Sequence, residues 1–192
     1  QIGTTGANMV INTLGRYGKN NVKFDLDGRA ALTEITLGSV YQSSLWDVDG
    51  KNVFNLRVNK EGLKFSNGLM GSYKEMKLEH THDLTFTGLS LTYASNLDNA
   101  ISLDKFYKHH FDFQVQPFTL TANVNNNFKY GNADVVNVAQ LQLEPLKVSF
   151  DGNVRGAYRS DEVKHTYTFK YADLTANFKT DTVGSIQGIA LT

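Results

Sequence analysis

The chain of 192 residues contains no cysteine, which removes disulfides, thiolate nucleophiles and cysteine-ligated metal at once. It has two prolines, Pro117 and Pro145, and neither lies in a proline-rich linker, so no domain boundary is marked and residues 1–192 read as a single amphipathic β-domain. There is no charge of one sign in excess: Lys and Arg number 19, Asp and Glu number 19, and the signs are interspersed, which makes nucleic acid a poor partner. No apolar run could span a bilayer as a helix, and the N-terminus lacks the basic-then-apolar order of a signal peptide, so the piece reads as mature or excised. Despite many asparagines there is no Asn-x-Ser/Thr acceptor, and glycosylation is not expected.

What is present is alternation. From Met76 to Phe86 the even positions Met76, Leu78, His80, His82, Leu84 and Phe86 point one way, and Lys77, Glu79, Thr81, Asp83 and Thr85 point the other. A period of two sends successive side chains to opposite faces of a sheet. The same pattern recurs through Phe54, Leu56 and Val58, through Phe111, Phe113 and Val115, and through Val163–Tyr171. Asp27-Gly28, Glu61-Gly62, Asp151-Gly152 and Asn125–Asn127 read as turns, and Asp49-Gly50 as the lead into Phe54. The apolar parity slips by one at Gly88 and at Pro117, which reads as a bulge or bend in each place.

Consecutive strands with short connections predict an all-β antiparallel meander of many amphipathic strands. Closure into a barrel, or strong curling of the sheet, would deal with two adhesive edges. Two segments allow one or two short helices, because Leu37, Val40, Tyr41, Ser44, Leu45 and Val48 fall at helical spacing, as do Leu97, Ala100, Ile101 and Asp104 and then Leu103, Phe106, Tyr107 and His110.

Catalytic signatures are missing: no nucleophile–base pair, phosphate loop or zinc-protease helix is found, so no catalytic residue is assigned and no cofactor is required. His80 and His82 share a strand face and could chelate, but a structural zinc wants four ligands and no cysteine helps, so no metal is assigned. The aromatics, 12 Phe, 9 Tyr and one Trp, sit largely at apolar parity, where they serve as packing, as a pocket lining or at a lipid interface. The candidate apolar-ligand face is therefore Met76, Leu78, His80, His82, Leu84 and Phe86 with Phe111, Phe113, Tyr167 and Phe169.

The strings Phe54–Lys77 (FNLRVNKEGLKFSNGLMGSYKEMK), Asp104–Leu120 (DKFYKHHFDFQVQPFTL) and Leu143–Tyr158 (LEPLKVSFDGNVRGAY) are more specific than strand composition. Together with Asn21–Glu34 and Glu162–Lys170 they resemble the β-rich later region of apolipoprotein B, in the large lipid transfer protein family. The resemblance implies an amphipathic β-segment on particle lipid, secreted into a plasma-like extracellular fluid, as a fragment or a standalone relative. It carries no clustered Lys and Arg of the receptor-binding kind. Two partners are thus in play: a lipid or lipoprotein surface, or, if a barrel closes, a small hydrophobic ligand such as a fatty acid, sterol or tetrapyrrole.

Overall fold

A computed structural model describes residues 2–3 and 6–191, and every regular element among them is a β-strand. In chain order these are β1 (Ile2–Gly3), β2 (Gly6–Tyr17), β3 (Asn20–Ala31), β4 (Glu34–Leu45), β5 (Val48–Asn59), β6 (Gly62–Tyr73), β7 (Met76–Thr87) and β8 (Ser90–Ser102). Then follow β9 (Lys105–Gln116), β10 (Thr119–Tyr130), β11 (Ala133–Glu144), β12 (Lys147–Tyr158), β13 (Asp161–Ala172), β14 (Thr175–Ile186) and β15 (Ile189–Leu191). Strands of 12 residues joined by two-residue turns repeat every 14 residues, with β8 alone extended to 13. Each full strand is roughly 35–40 Å long.

Residues 1–96 and 97–192 form two compact units, with β8 divided between them. In the first unit β2 to β7 pair antiparallel in sequence order. In the second, β9 to β15 do the same. In neither unit do the outermost strands pair with one another, so each sheet is open and the closed-barrel form of the expectation is not adopted.

The helices are not formed either. Leu37–Leu45 lies in β4 and Val48 opens β5, while Leu97–His110 runs through β8 and β9. Of that pattern only Leu45 and Val48, paired across a two-residue turn, are three apart and share a face; within β4, Leu37, Tyr41 and Leu45 stand on one face and Val40 and Ser44 on the other.

The same arithmetic explains the parity slips. Across a two-residue turn the numbers of paired residues sum to an odd number, as in Leu56 with Phe65 or Ala122 with Phe113, so apolar parity reverses at the hairpins from β2 to β8 and again from β9 to β13, though not between the 13-residue β8 and β9, where Tyr93 and Phe111 are both odd. Gly88 and Pro117 are therefore the first residues of turns and not bulges. Conversely Asp27-Gly28, Asp49-Gly50, Asn125–Asn127 and Asp151-Gly152 lie inside strands, where the face pattern outweighs the local turn preference.

Turn geometry follows from the two residues available. Trp46 and Asp47 (φ 47° and 66°) and Asp173 and Leu174 (φ 51° and 60°) each have both central residues in the left-handed region, the arrangement of a type I′ turn. Pro117 precedes Phe118 (φ 70°) and Pro145 precedes Leu146 (φ 61°), the pattern of a type II turn with Pro first.

In the second unit the two long edges differ. On one, successive turns are tied together: Gly131 N–H donates to the Asp104 carbonyl at 2.8 Å, Arg159 N–H to the Asn132 carbonyl at 3.1 Å, and Gln187 N–H to Asp161 Oδ1 at 3.0 Å. On the other edge the equivalent first turn position is Pro117, Pro145 or Asp173, and the two prolines have no N–H to give. Instead it presents Phe118, Leu146 and Leu174, each about four-fifths exposed or more (82%, 79% and 86%).

No hydrophobic side chain among the described residues is buried. The cause is architectural: within each unit the strands make one layer, and a sheet buries a face only against a second layer.

Candidate functional site

The ladders fix which side chains share a face. In the first unit Ile35, Val58, Leu63 and Phe86 stand in one cross-strand row, and Leu37, Leu56, Phe65 and Leu84 in the next. Near the far ends of the strands Leu45, Val48, Tyr73 and Met76 form another apolar row. Phe54 and Phe65 meet edge to face at 5.5 Å. The opposite face carries Lys23 with Asp25 at 2.6 Å and the Arg57–Glu34 ion pair. All six candidate residues of β7 therefore lie on the apolar face, as their parity predicts, with Leu78, His80, His82 and Leu84 half-buried and Met76 and Phe86 exposed.

In the second unit the remaining four candidates are brought into two adjacent rows. Phe111, Val124, Ala139, Gly152 and Tyr167 make one, and Phe113, Ala122, Leu141, Phe150 and Phe169 the other. Phe150 and Tyr167 rings are 5.2 Å apart. The two candidate sets belong to different units.

Each apolar face is crossed at mid-strand by a polar seam. In the first unit Asn52 Nδ2 donates to Asn67 Oδ1 at 2.9 Å, His82 Nδ1 lies 2.8 Å from the Tyr93 hydroxyl, and His80 Nε2 lies 3.2 Å from Ser95 Oγ. The two imidazole rings are 4.0 Å apart. Ser95 is the one buried polar residue among those described, at 5% exposure.

The second unit repeats the theme in the row His109, Asn126, Asn137, Val154, His165 and Thr182. His109 Nδ1 lies 2.6 Å from Asn126 Oδ1, which also accepts from Tyr107 OH at 3.1 Å, and His165 Nδ1 lies 2.7 Å from Thr182 Oγ1. These pairings satisfy polar groups that would otherwise be costly on an apolar surface.

His80 and His82 are thus hydrogen-bonded members of the seam, and no group of three or more potential metal-ligating residues occurs among the described residues. The other seam residues, among them Asn52, Asn67, Asn126 and Asn137, escaped the sequence reading. Their signal is a longer period: His109, Asn137 and His165 are 28 residues apart, two hairpin strands per step.

The Ser102 hydroxyl, donating to Asp104 Oδ1 at 2.5 Å, holds that carboxyl below its ordinary value, and the Glu162 carboxylate, accepting from Arg155 Nε at 2.8 Å, raises the guanidinium further. Neither lies on an apolar face.

Comparison with known proteins gives the same kind of module. The family model described as apolipoprotein B100, beta-belt, matches residues 1–192. The chain is 49% identical over 189 residues to human apolipoprotein B-100, and 48% identical over 190 residues to the rat protein. Each match covers 98% of this chain and only 4% of the relative's length. A repeated amphipathic hairpin with one apolar face, matched from end to end at this identity, places the chain in the apolipoprotein B100 β-belt family.

Proposed function

We propose that the apolar face of each unit lies against lipid, making this chain a non-catalytic lipid-binding segment that works in extracellular fluid at a lipoprotein-type surface. The observation that carries the reading is a face of Leu, Phe, Val, Met and Tyr side chains in each unit that no second layer of the same unit covers among the described residues. Removing apolar area from water is worth roughly 25 cal/mol per Å², and an open sheet of this length has that free energy still to gain. Met76, Leu78, His80, His82, Leu84 and Phe86 in the first unit, and Phe111, Phe113, Tyr167 and Phe169 in the second, are the residues assigned to the lipid side.

The rival reading, a carrier that encloses one small hydrophobic ligand, needs a closed wall. The open ladders of each unit supply none, so the surface reading is preferred.

The test is flotation with a triacylglycerol–phosphatidylcholine emulsion. Leu84→Ser and Phe113→Ser should weaken binding about 10- to 100-fold, the worth of one large apolar side chain. Asp83→Ser and Gln114→Ser, one residue away on the opposite face, should leave it unchanged. Equal effects from both pairs would overturn the assignment of faces.

A further inference from the structure

The apolar face of the second unit is graded along its strands. At the end nearest Phe118, Leu146 and Leu174 its rows are Val115, Leu120, Leu143, Val148 and Tyr171, then Phe113, Ala122, Leu141, Phe150 and Phe169, with nothing more polar than one tyrosine hydroxyl. The polar seam crosses mid-strand, and the last row before the tied turns is Lys105, Tyr130, Ala133, Tyr158 and Asp161. Among the described residues of β9 to β14, Lys105 and Asp161 are the two Lys, Arg, Asp or Glu side chains on this face, and both stand at that same end. Lys105 Nζ lies 5.3 Å from the centre of the Tyr130 ring and the Arg159 guanidinium 5.2 Å from that of Tyr158, and both rings are exposed. The turns repeat the gradient: the second turn residue is Phe118, Leu146 or Leu174 on one edge and Asn132, Ser160 or Gly188 on the tied edge. The apolar exceptions stand at the two ends of the tied edge, Leu103 at one and the Ile186–Ile189 pair at the other.

From this gradient we infer that the second unit sits on lipid at a tilt, with the edge of Phe118, Leu146 and Leu174 sunk among acyl chains beneath a phospholipid monolayer and the tied edge held at its headgroups. The inference rests on the lipid-facing reading of this face and adds a direction to it. A lipid surface is layered, with water and headgroups above, acyl chains below, and tyrosine favoured where the two meet. A strand roughly 38 Å long, tilted by about 20°, carries its two ends to depths about 13 Å apart, close to the roughly 15 Å of hydrocarbon in one leaflet. A modest tilt therefore takes the three apolar tips out of water. At the other end Tyr130 and Tyr158 keep their rings beside the chains and their hydroxyls at the headgroups, while Lys105 and Arg159 run along those rings toward phosphate oxygens. A flat sheet would hold Lys105 and Asp161 at the depth of Phe113 and Phe169, which the cost of desolvating charge opposes.

The experiment measures depth. Because the chain has no cysteine, a nitroxide spin label can be attached at one site at a time. Leu146→Cys and Ser160→Cys label the turns at the two ends of β12 and leave every strand residue in place. On a triacylglycerol–phosphatidylcholine emulsion, the label replacing Leu146 should lose its collisions with a water-soluble nickel chelate and gain collisions with oxygen, while the label replacing Ser160 should stay open to nickel. Leu174→Cys and Asn132→Cys should repeat the contrast. Equal depth at both ends, or a deeper label at Ser160, overturns the tilt and leaves the lipid reading standing. Failure of the unlabelled chain to bind any emulsion overturns the lipid reading and the inference with it. Affinity gives a check without labels: Phe118→Asn with Leu146→Asn, which suits the positive φ of both turns, should weaken binding about 10-fold or more. Asn132→Ser with Ser160→Asn should leave it unchanged, and equal losses from the two pairs would overturn the difference between the edges.

Discussion

The ring of Tyr167 lies directly over the backbone of Gly152 on the neighbouring strand, so close that a β-carbon at Gly152 would come within 2.4 Å of it. An aromatic ring covering a strand glycine supplies the packing that the glycine lacks. Gly152→Ala should therefore destabilise the second unit by about 1–3 kcal/mol, the usual penalty of overpacking. Gly152→Ala combined with Tyr167→Ala should lose less than the sum of the two single changes. Denaturant unfolding followed by circular dichroism measures both, and strict additivity would show that the ring and the glycine are independent.

The seam pairs should behave as coupled units. For His82 and Tyr93, 2.8 Å apart, a double-mutant cycle with His82→Leu and Tyr93→Phe should give a coupling of about 0.5–1.5 kcal/mol. The same cycle between His82 and Thr85, which lies on the opposite face, should give none.

Turn chemistry offers a stabilising change. Asp173 and Leu174 both hold positive φ, a conformation that disfavours ordinary L-residues by roughly 1–2 kcal/mol each. Replacing the pair with Asn-Gly (D173N/L174G) should raise stability by about 1 kcal/mol, read as a higher denaturation midpoint. On emulsions the same variant loses one of the three apolar tips on that edge, so a loss of lipid affinity alongside the gain in stability would separate the two roles of Leu174.

Asp104 sets a pH limit on its turn. Its carboxyl is held below the ordinary value chiefly by the Ser102 hydroxyl. A carboxyl depressed in the folded state contributes stability above its unfolded value, and that stability disappears as pH falls through the folded value. Ser102→Ala should move the Asp104 titration upward, toward the unfolded value, so that this contribution shrinks. A carbon-detected NMR titration of the carboxyl measures the shift directly.

In water, without lipid, the exposed faces should find each other. Sedimentation velocity is expected to show multimers at micromolar concentration, a mild nonionic detergent should return the chain to monomer, and Leu84→Ser with Phe113→Ser should shift the balance toward monomer. A stable monomer with no detergent and no lipid would contradict the picture of an uncovered face.

Much of this fold is legible in the alternation itself. The even positions from Met76 to Phe86 fall on one face as their parity requires, because a strand's side-chain period leaves no freedom once the backbone is extended. What alternation alone misjudged was punctuation. Asp27-Gly28 looks like a hairpin turn yet sits mid-strand, and Leu32-Thr33, which looks like nothing, makes the turn four residues later. The preference of a dipeptide is a fraction of a kcal/mol to about one, whereas a displaced turn would misplace a whole strand of side chains. The 14-residue period would have resolved the question, and it was hidden because the repeats share length and polarity but hardly any identities. The seam was half visible for the same reason: His80 and His82 stand out as intruders on an apolar strand, but Asn52, Asn67 and Asn137 reveal themselves only when neighbouring strands are laid in register.

The even length of the repeat has an evolutionary corollary. Where 12-residue strands alternate with two-residue turns, from β2 to β7 and from β9 to β14, a deletion of one residue within a strand would exchange inside for outside in the strands of the same run that follow it, until a bulge or an extra residue such as that of β8 changed the frame. Point substitutions on the polar face can accumulate freely under such a constraint, whereas within these regular runs insertions and deletions are admissible in whole hairpins or in compensating pairs. Descendants of this chain should therefore diverge in spelling long before they diverge in length.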